Sequence, residues 1–246
     1  VLAIPTQALR AASSMLAPHL RPGTAVVAAA KGIEQATSCF VTQILASTLP
    51  QAQLAILSGP SFAADMAQGL PTAVTLAAPN SDLARRLGAT LAGPGLRIYH
   101  SDDVIGVEIG GAAKNVLAIA AGIVVGAGLG ESARAALIAR GFAELRRFAH
   151  VLGAKPETLM GLSGLGDLVL TASSPQSRNF TLGHSLGQGR SAEAALANGK
   201  LAEGAFTAPA LVAMARRNSV EMPISEAVAA VLSGAISVRD AITGLV

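Results

Sequence analysis

The residues whose types and spacing could do chemistry begin with Lys114, which stands beside Asn115 in a long apolar run from Val107 to Gly122. Lysine is seldom fully buried without a partner, and an ammonium taken out of water loses proton affinity. A lysine in such a place can exchange a proton with a substrate oxygen near neutral pH. A second cation stands in Lys31-Gly32, directly after a β-branched run. In Ser58-Gly59-Pro60-Ser61-Phe62-Ala63, backbone N–H groups and the Ser61 hydroxyl can converge on an anion or a hydroxyl, or Ser61 can simply cap the following helix. Gly161-Leu162-Ser163-Gly164-Leu165-Gly166-Asp167 sets glycines before an acid that can orient or hold a lysine. Ser177-Arg178-Asn179 then offers a planar guanidinium and an amide suited to phosphate. Last, Glu203-Gly204 fits either ribose hydroxyls or a helix N-terminus.

The elements that must position these groups change character near residue 101. Before it, short β-branched runs at 1–4, 24–28, 54–57, 72–77 and 96–100 alternate with helical patterns at 6–16, after Thr37-Ser38 to about 49, and at 81–91. That alternation predicts an α/β, doubly wound parallel sheet. Lys31 and the Ser58 to Ala63 segment fall at the carboxyl ends of its strands, where such sheets bind ligands. After residue 101 only helical patterns follow, at 104–123, 131–152, 156–160, 180–186, 191–198, 209–218, 224–232 and 237–242. We therefore expect a nucleotide-binding domain over 1–101 and an all-helical substrate and dimerisation domain over 102–246. No G-x-G-x-x-G follows a strand, so the first βα units are expected upstream of Val1, on the order of 60–90 residues. On that expectation the chain carries the substrate half of the site and part of the cofactor half.

Two other readings of the 104–130 stretch are weaker. As a membrane span it would place Glu108 and Lys114 in the bilayer, at about 2.5–3.5 kcal/mol each. As a plain core helix it would let Lys114 snorkel or pair with Glu108, but the two are six apart, beyond the usual helical pairing distance. Across all 246 residues, 51% are hydrophobic and only 13% charged, with no Trp and one Tyr. Basic residues are scattered and aromatics few, which argues against nucleic acid as a partner. The net charge of +3 is met equally well by a few cations placed for a small anion. A single cysteine, Cys39, excludes an internal disulfide and fits a reducing, cytoplasmic setting. So thin a charged coat on a helical domain is the basis for expecting a homodimer.

Taken together, these pieces resemble the bacterial-type NAD(P)-dependent glycerol-3-phosphate dehydrogenases. Lys31-Gly32, residues 57–63, 110–115, 135–141, 164–168 and 177–180 occur in family order along nearly the whole chain. The resemblance implies that Lys114 passes a proton to and from the C2 oxygen while hydride moves between C2 and the nicotinamide of NAD or NADP, with NADP ahead. It implies a small phosphorylated substrate, glycerol 3-phosphate or dihydroxyacetone phosphate, held by Lys31, Gly59, Ser61, Lys114, Asp167, Ser177, Arg178 and Asn179. Arg178 and Asn179 would lie nearest the phosphate. Lys31, Ala63, Arg178, Leu201 and Glu203 would touch the cofactor, and no metal is called for. It also implies a supply of glycerol 3-phosphate for phospholipid synthesis. Ser132 and Leu201 stand where the family usually has Asn and Val. The rival readings are another β-hydroxyacid dehydrogenase of the same two-domain layout, in which a carboxylate replaces the phosphate, and a non-catalytic anion-binding fragment.

Overall fold

The computed structural model describes residues 1–196 and 201–245. The expected first strand is reduced to one parallel bridge between Leu2 and Ala28. Pairing stops there because Pro5 has no backbone N–H and its fixed φ already suits a helix. Helix α1 (Thr6–Leu16) follows, then a 3-10 turn, Ala17–His19. Strand β1 (Ala25–Ala28), helix α2 (Val41–Thr48), β2 (Gln53–Ser58), α3 (Ala63–Ala67), β3 (Thr72–Ala77), α4 (Ser81–Leu91) and β4 (Leu96–Ser101) complete the α/β part.

The four strands form one sheet in the order β1-β2-β3-β4. Alternate residues enter two cores: Val26, Ala28 and Ile56 pack with Leu9 and Ile44, while Val27, Ala55 and Leu76 pack with Leu83 and Ala84. The β1–β2 and β3–β4 pairs are parallel, but β2 and β3 are antiparallel, with Ile56 opposite Ala77 and Ser58 opposite Thr75. This corrects the expectation of parallel pairing throughout. A six-residue strand is about 20 Å long, and the five residues of α3 rise only about 7.5 Å. So short a helix cannot carry the chain back across the sheet, and the next strand runs the other way.

Helix α5 (Val104–Gly126) opens the helical part and is its axle: every residue from Gly106 to Val124 is buried. Its length and apolarity would suffice to cross a membrane, yet 89% of its most apolar window is enclosed by protein. Around it lie α6 (Glu131–Val151), α7 (Pro156–Met160), a π-helical turn at Leu162–Gly166, α8 (Asp167–Ser173), α9 (Arg178–Gly187), α10 (Ala192–Leu196), α11 (Glu203–Arg217), α12 (Pro223–Leu232) and α13 (Val238–Leu245). The helix expected over 191–198 is present to Leu196, and its last residues lie outside the described ones. Helix α11 starts six residues before Pro209, the position expected to open it; its first turn is anchored from α9, as described below.

The α5–α9 contact is made by glycines from both sides. A Cβ on Gly122 would come within 2.1 Å of the Phe180 carbonyl oxygen, and one on Gly183 within 1.9 Å of the Ile119 oxygen. Backbone therefore packs on backbone, and the glycines that would weaken an isolated helix are what seat this one.

Two buried acids join helices. Glu108 of α5 accepts from the backbone N–H of Thr42 at 2.7 Å and from its hydroxyl at 3.0 Å, so it caps the start of α2 and does not pair with Lys114. Burial raises its pKa to about 7, against the Thr42 hydrogen bonds that lower it. Glu144 of α6 likewise accepts from the Ile224 N–H at 2.8 Å, at the start of α12.

Candidate active site

The carboxyl ends of β1 and β2 face the middle of α5. Lys31 projects from the loop after β1, and its Nζ donates to the Gly59 carbonyl at 2.9 Å and to Asp167 Oδ2 at 2.8 Å. Lys114 Nζ donates to the other oxygen of the same carboxylate at 2.5 Å, and to the Thr171 hydroxyl at 2.8 Å. Asp167 is thus bracketed by two ammonium groups; its side chain is 2% exposed, that of Lys114 8% and that of Lys31 20%. Both lysines come from apolar segments, and both are partnered as burial demands.

The local geometry follows from sequence. The π-helical turn of residues 162–166 lets α7 meet α8 through a glycine-rich corner, in which a Cβ on Gly164 would fall 2.0 Å from the Leu159 carbonyl oxygen. Asp167 starts α8, and Thr171 lies one turn later on the same face. Gly59 has φ +146°, and a Cβ there would meet the Cα of Val74 at 2.9 Å. Ser61 is not the cap of α3, which Phe62 precedes without a side-chain bond. Its hydroxyl turns back to the Gly59 carbonyl at 3.0 Å, beside Lys31.

Burial lowers the pKa of Lys114 to about 8; the Lys31 charge pushes the same way, and Asp167 opposes both. The lysine can therefore hold or release its proton close to neutral pH. Thr171 had no assigned role in the sequence, although its position four residues after Asp167 on one helix face was the available signal.

The groups expected to grip phosphate lie at the start of α9. Ser177 caps it, its Oγ accepting from the Phe180 N–H at 3.2 Å. Asn179 is buried and Arg178 exposed. Arg178 also lines an open pocket of about 350 Å³ with Gln176, Thr181 and Ser185; Lys114 does not reach it. Glu203 opens α11 and accepts from the Thr6 N–H at 3.2 Å. Burial raises the pKa of its carboxyl, with the Thr6 N–H and the Arg178 charge working against it. Ala63 is exposed at the start of α3 and Leu201 half-buried before α11, so neither joins the hydrogen-bonded cluster.

Among the described residues, four buried side-chain oxygens have no partner: Thr6 Oγ1, Ser58 Oγ, Glu203 Oε2 and Thr207 Oγ1. Three of them close on Gly32, where a Cβ would meet Thr6 Oγ1 at 2.7 Å, Glu203 Oε2 at 2.9 Å and Thr207 Oγ1 at 3.2 Å. They leave room for a hydrogen alone at Gly32, so the glycine is what lets the loop after β1 pack against α1 and the start of α11. Among the described residues, no cluster of His, Cys, Asp or Glu is placed to hold a metal ion.

Comparison with known proteins agrees with this geometry. Residues 1–84 match the family model of the NAD-dependent glycerol-3-phosphate dehydrogenase N-terminus, and residues 103–243 match that of its C-terminus. A glycerol-3-phosphate dehydrogenase [NAD(P)+] of Methylobacterium radiotolerans is 59% identical over 246 residues, all of this chain and 74% of the relative. The enzyme of the same name from Bradyrhizobium diazoefficiens is 60% identical over 245 residues, again 74% of its length. Among solved structures, the glycerol-3-phosphate dehydrogenase of Coxiella burnetii superposes with a TM-score of 0.93 at 40% identity, covering 98% of this chain and 74% of that one.

Proposed function

The chain belongs to the NAD-dependent glycerol-3-phosphate dehydrogenase family, and from that premise we propose how its residues interconvert glycerol 3-phosphate and dihydroxyacetone phosphate. The observation that carries the reading is Lys114, buried and poised near pH 8, sharing one carboxylate with Lys31.

Lys114 Nζ takes the proton of the C2 hydroxyl when glycerol 3-phosphate is oxidised, and returns it to the C2 carbonyl oxygen when dihydroxyacetone phosphate is reduced. The nicotinamide of NAD or NADP, when bound, supplies or accepts the hydride at C2. Asp167 orients both lysines and keeps Lys114 from losing its proton too early; Thr171 takes a second N–H of the ammonium. Lys31, Gly59 and Ser61 line the sheet side of the substrate. Ser177, Arg178 and Asn179 face its phosphate, where a guanidinium and a helix N-terminus act together. Glu203, at the start of α11, meets the cofactor together with Lys31, Ala63, Arg178 and Leu201. The Gly166-Asp167 and Ser177-Arg178-Asn179 pieces favour a phosphate over the carboxylate of other β-hydroxyacid dehydrogenases.

We place the activity in the cytoplasm on the strength of the lone Cys39, in a homodimer on the strength of the thin charged coat, and at the supply of glycerol 3-phosphate for phospholipid synthesis. The test is Lys114→Ala in the full-length protein, assayed by oxidation of NADPH or NADH with dihydroxyacetone phosphate. Turnover is expected to fall by about 10²-fold or more, the usual worth of a proton-transfer group, with the circular dichroism spectrum retained. Undiminished turnover would remove Lys114 from the chemistry.

A further inference from the structure

Asn115 touches neither substrate nor cofactor in the reading above, yet it stands at the centre of a buried chain of amide hydrogen bonds. Its Nδ2 donates to the Lys31 carbonyl oxygen at 3.0 Å and to the Gly111 carbonyl oxygen at 3.3 Å. Its Oδ1 accepts from Asn179 Nδ2 at 2.9 Å. The Oδ1 of Asn179 in turn accepts from the backbone N–H of Gly204 at 2.9 Å. Asn115 and Asn179 are 5% and 8% exposed.

The direction of this chain is forced. Two carbonyl oxygens face one end of the Asn115 amide, and only an NH2 group can meet them. Its oxygen must then face Asn179, whose NH2 must face Asn115 and whose oxygen must face Gly204. Both N–H bonds of Asn115 are consumed by protein, so it has none to offer a ligand. Asn179 keeps one N–H, in the first turn of α9 next to Arg178.

We propose that Asn115 is a positioning residue for the phosphate end of the substrate. By fixing the Asn179 amide it reserves that remaining N–H for a phosphate oxygen. Through Gly204 the same amide fastens the start of α11, the turn that carries Glu203, and through the Lys31 carbonyl it fastens the loop of the second lysine. One asparagine thus keys three separate segments of the site to the helix that bears Lys114. With Asn115 removed, the Asn179 NH2 loses its fixed acceptor and only the Gly204 N–H still orients the amide, so the remaining N–H is no longer held toward the phosphate.

The inference rests on reading Arg178 and Asn179 as the phosphate grip, and the experiment separates the two. Asn115→Ala and Arg178→Ala are each assayed with dihydroxyacetone phosphate and with dihydroxyacetone, which lacks the phosphate. A hydrogen bond to a charged group corresponds to about ten- to a hundredfold in affinity. Asn115→Ala is expected to lose about that factor in kcat/KM for dihydroxyacetone phosphate, mostly through KM, and about threefold or less for dihydroxyacetone. In an Asn179→Ala background it should cost little more, because the two act as one unit. Equal losses on both substrates, an unchanged KM for the phosphorylated one, or full additivity with Asn179→Ala would overturn the proposal. If Arg178→Ala also fails to distinguish the two substrates, the phosphate assignment itself is wrong; if it distinguishes them and Asn115→Ala does not, only the role of Asn115 falls. Should Asn115→Ala not fold, Asn115→Ser keeps a polar side chain without the amide and is held to the same comparison.

Discussion

Replacing Asp167 by Asn removes the one negative charge between two lysines and leaves the shape of the site nearly unchanged. The carboxylate accepts from Lys114 at 2.5 Å and from Lys31 at 2.8 Å, and it is what holds the Lys114 proton against burial and the Lys31 charge. In Asp167→Asn both remaining influences push downward, so Lys114 must titrate below its present value of about 8. An opposite charge this close moves a pKa by about 1–3, and a fall of about 2 takes the lysine to about 6. At pH 7 a group titrating at about 8 is about nine-tenths protonated, and one at about 6 about one-tenth. Reduction of dihydroxyacetone phosphate needs the protonated lysine, so it should lose about tenfold at pH 7 from protonation alone, and less at pH 5.5. The basic limb of its kcat/KM profile moves from near pH 8 to near pH 6, and the acid limb for glycerol 3-phosphate oxidation moves with it. The assay is kcat/KM against pH in both directions, with a thermal melt at each pH. Breaking a buried ion pair costs about 3–5 kcal/mol when the remaining charge is stranded; here Lys114 can shed its proton, so the variant should still fold above pH 7. Limbs that stay at the wild-type pH, or move upward, would refute the assignment of Asp167 and of Lys114 together.

The buried acid at the α2 cap should respond to pH in the opposite sense. Glu108 titrates at about 7 in the folded chain against an ordinary 4.5, so burying its charge costs about 3 kcal/mol above pH 7 and nothing below about 4.5. Glu108→Gln keeps an acceptor for Thr42 and removes the charge; it is expected to raise Tm at pH 8 and to leave it nearly unchanged at pH 5, and a gain equal at both would refute the account. The glycine seam is tested by Gly183→Ala, whose Cβ would lie 1.9 Å from the Ile119 carbonyl oxygen. Forcing α5 and α9 apart should cost about 3 kcal/mol or more and lower Tm by about 6–12 °C. Gly93→Ala, with nothing within 4 Å of its Cβ, should leave the melt alone.

Much of this protein was legible in its residues because the signals are local. The 3.6-residue pattern of α5, the glycines before Asp167 and the strand-then-turn order around Lys31 and Ser58 each need only near neighbours in the chain. Lysine in an apolar helix points to chemistry for the same reason, since burial of a charge has few bland explanations. What sequence alone could not settle are pairings across distance. Lys114 and Asp167 are 53 residues apart, Lys31 and Asp167 136, and Thr6 and Glu203 197. Whether Lys114 met Asp167 or Glu108 depended on how α5 is rotated against α8 and α2, which is settled by packing between segments far apart in the chain. The antiparallel turn from β2 to β3 likewise came from the reach of a five-residue helix, and the helical start at Glu203 from an asparagine on another helix. Sequence determined which residues carry charge, hydrogen-bond donors and conformational freedom; only the tertiary structure decided which of them share one carboxylate, because that depends on close approach between elements that no local pattern encodes.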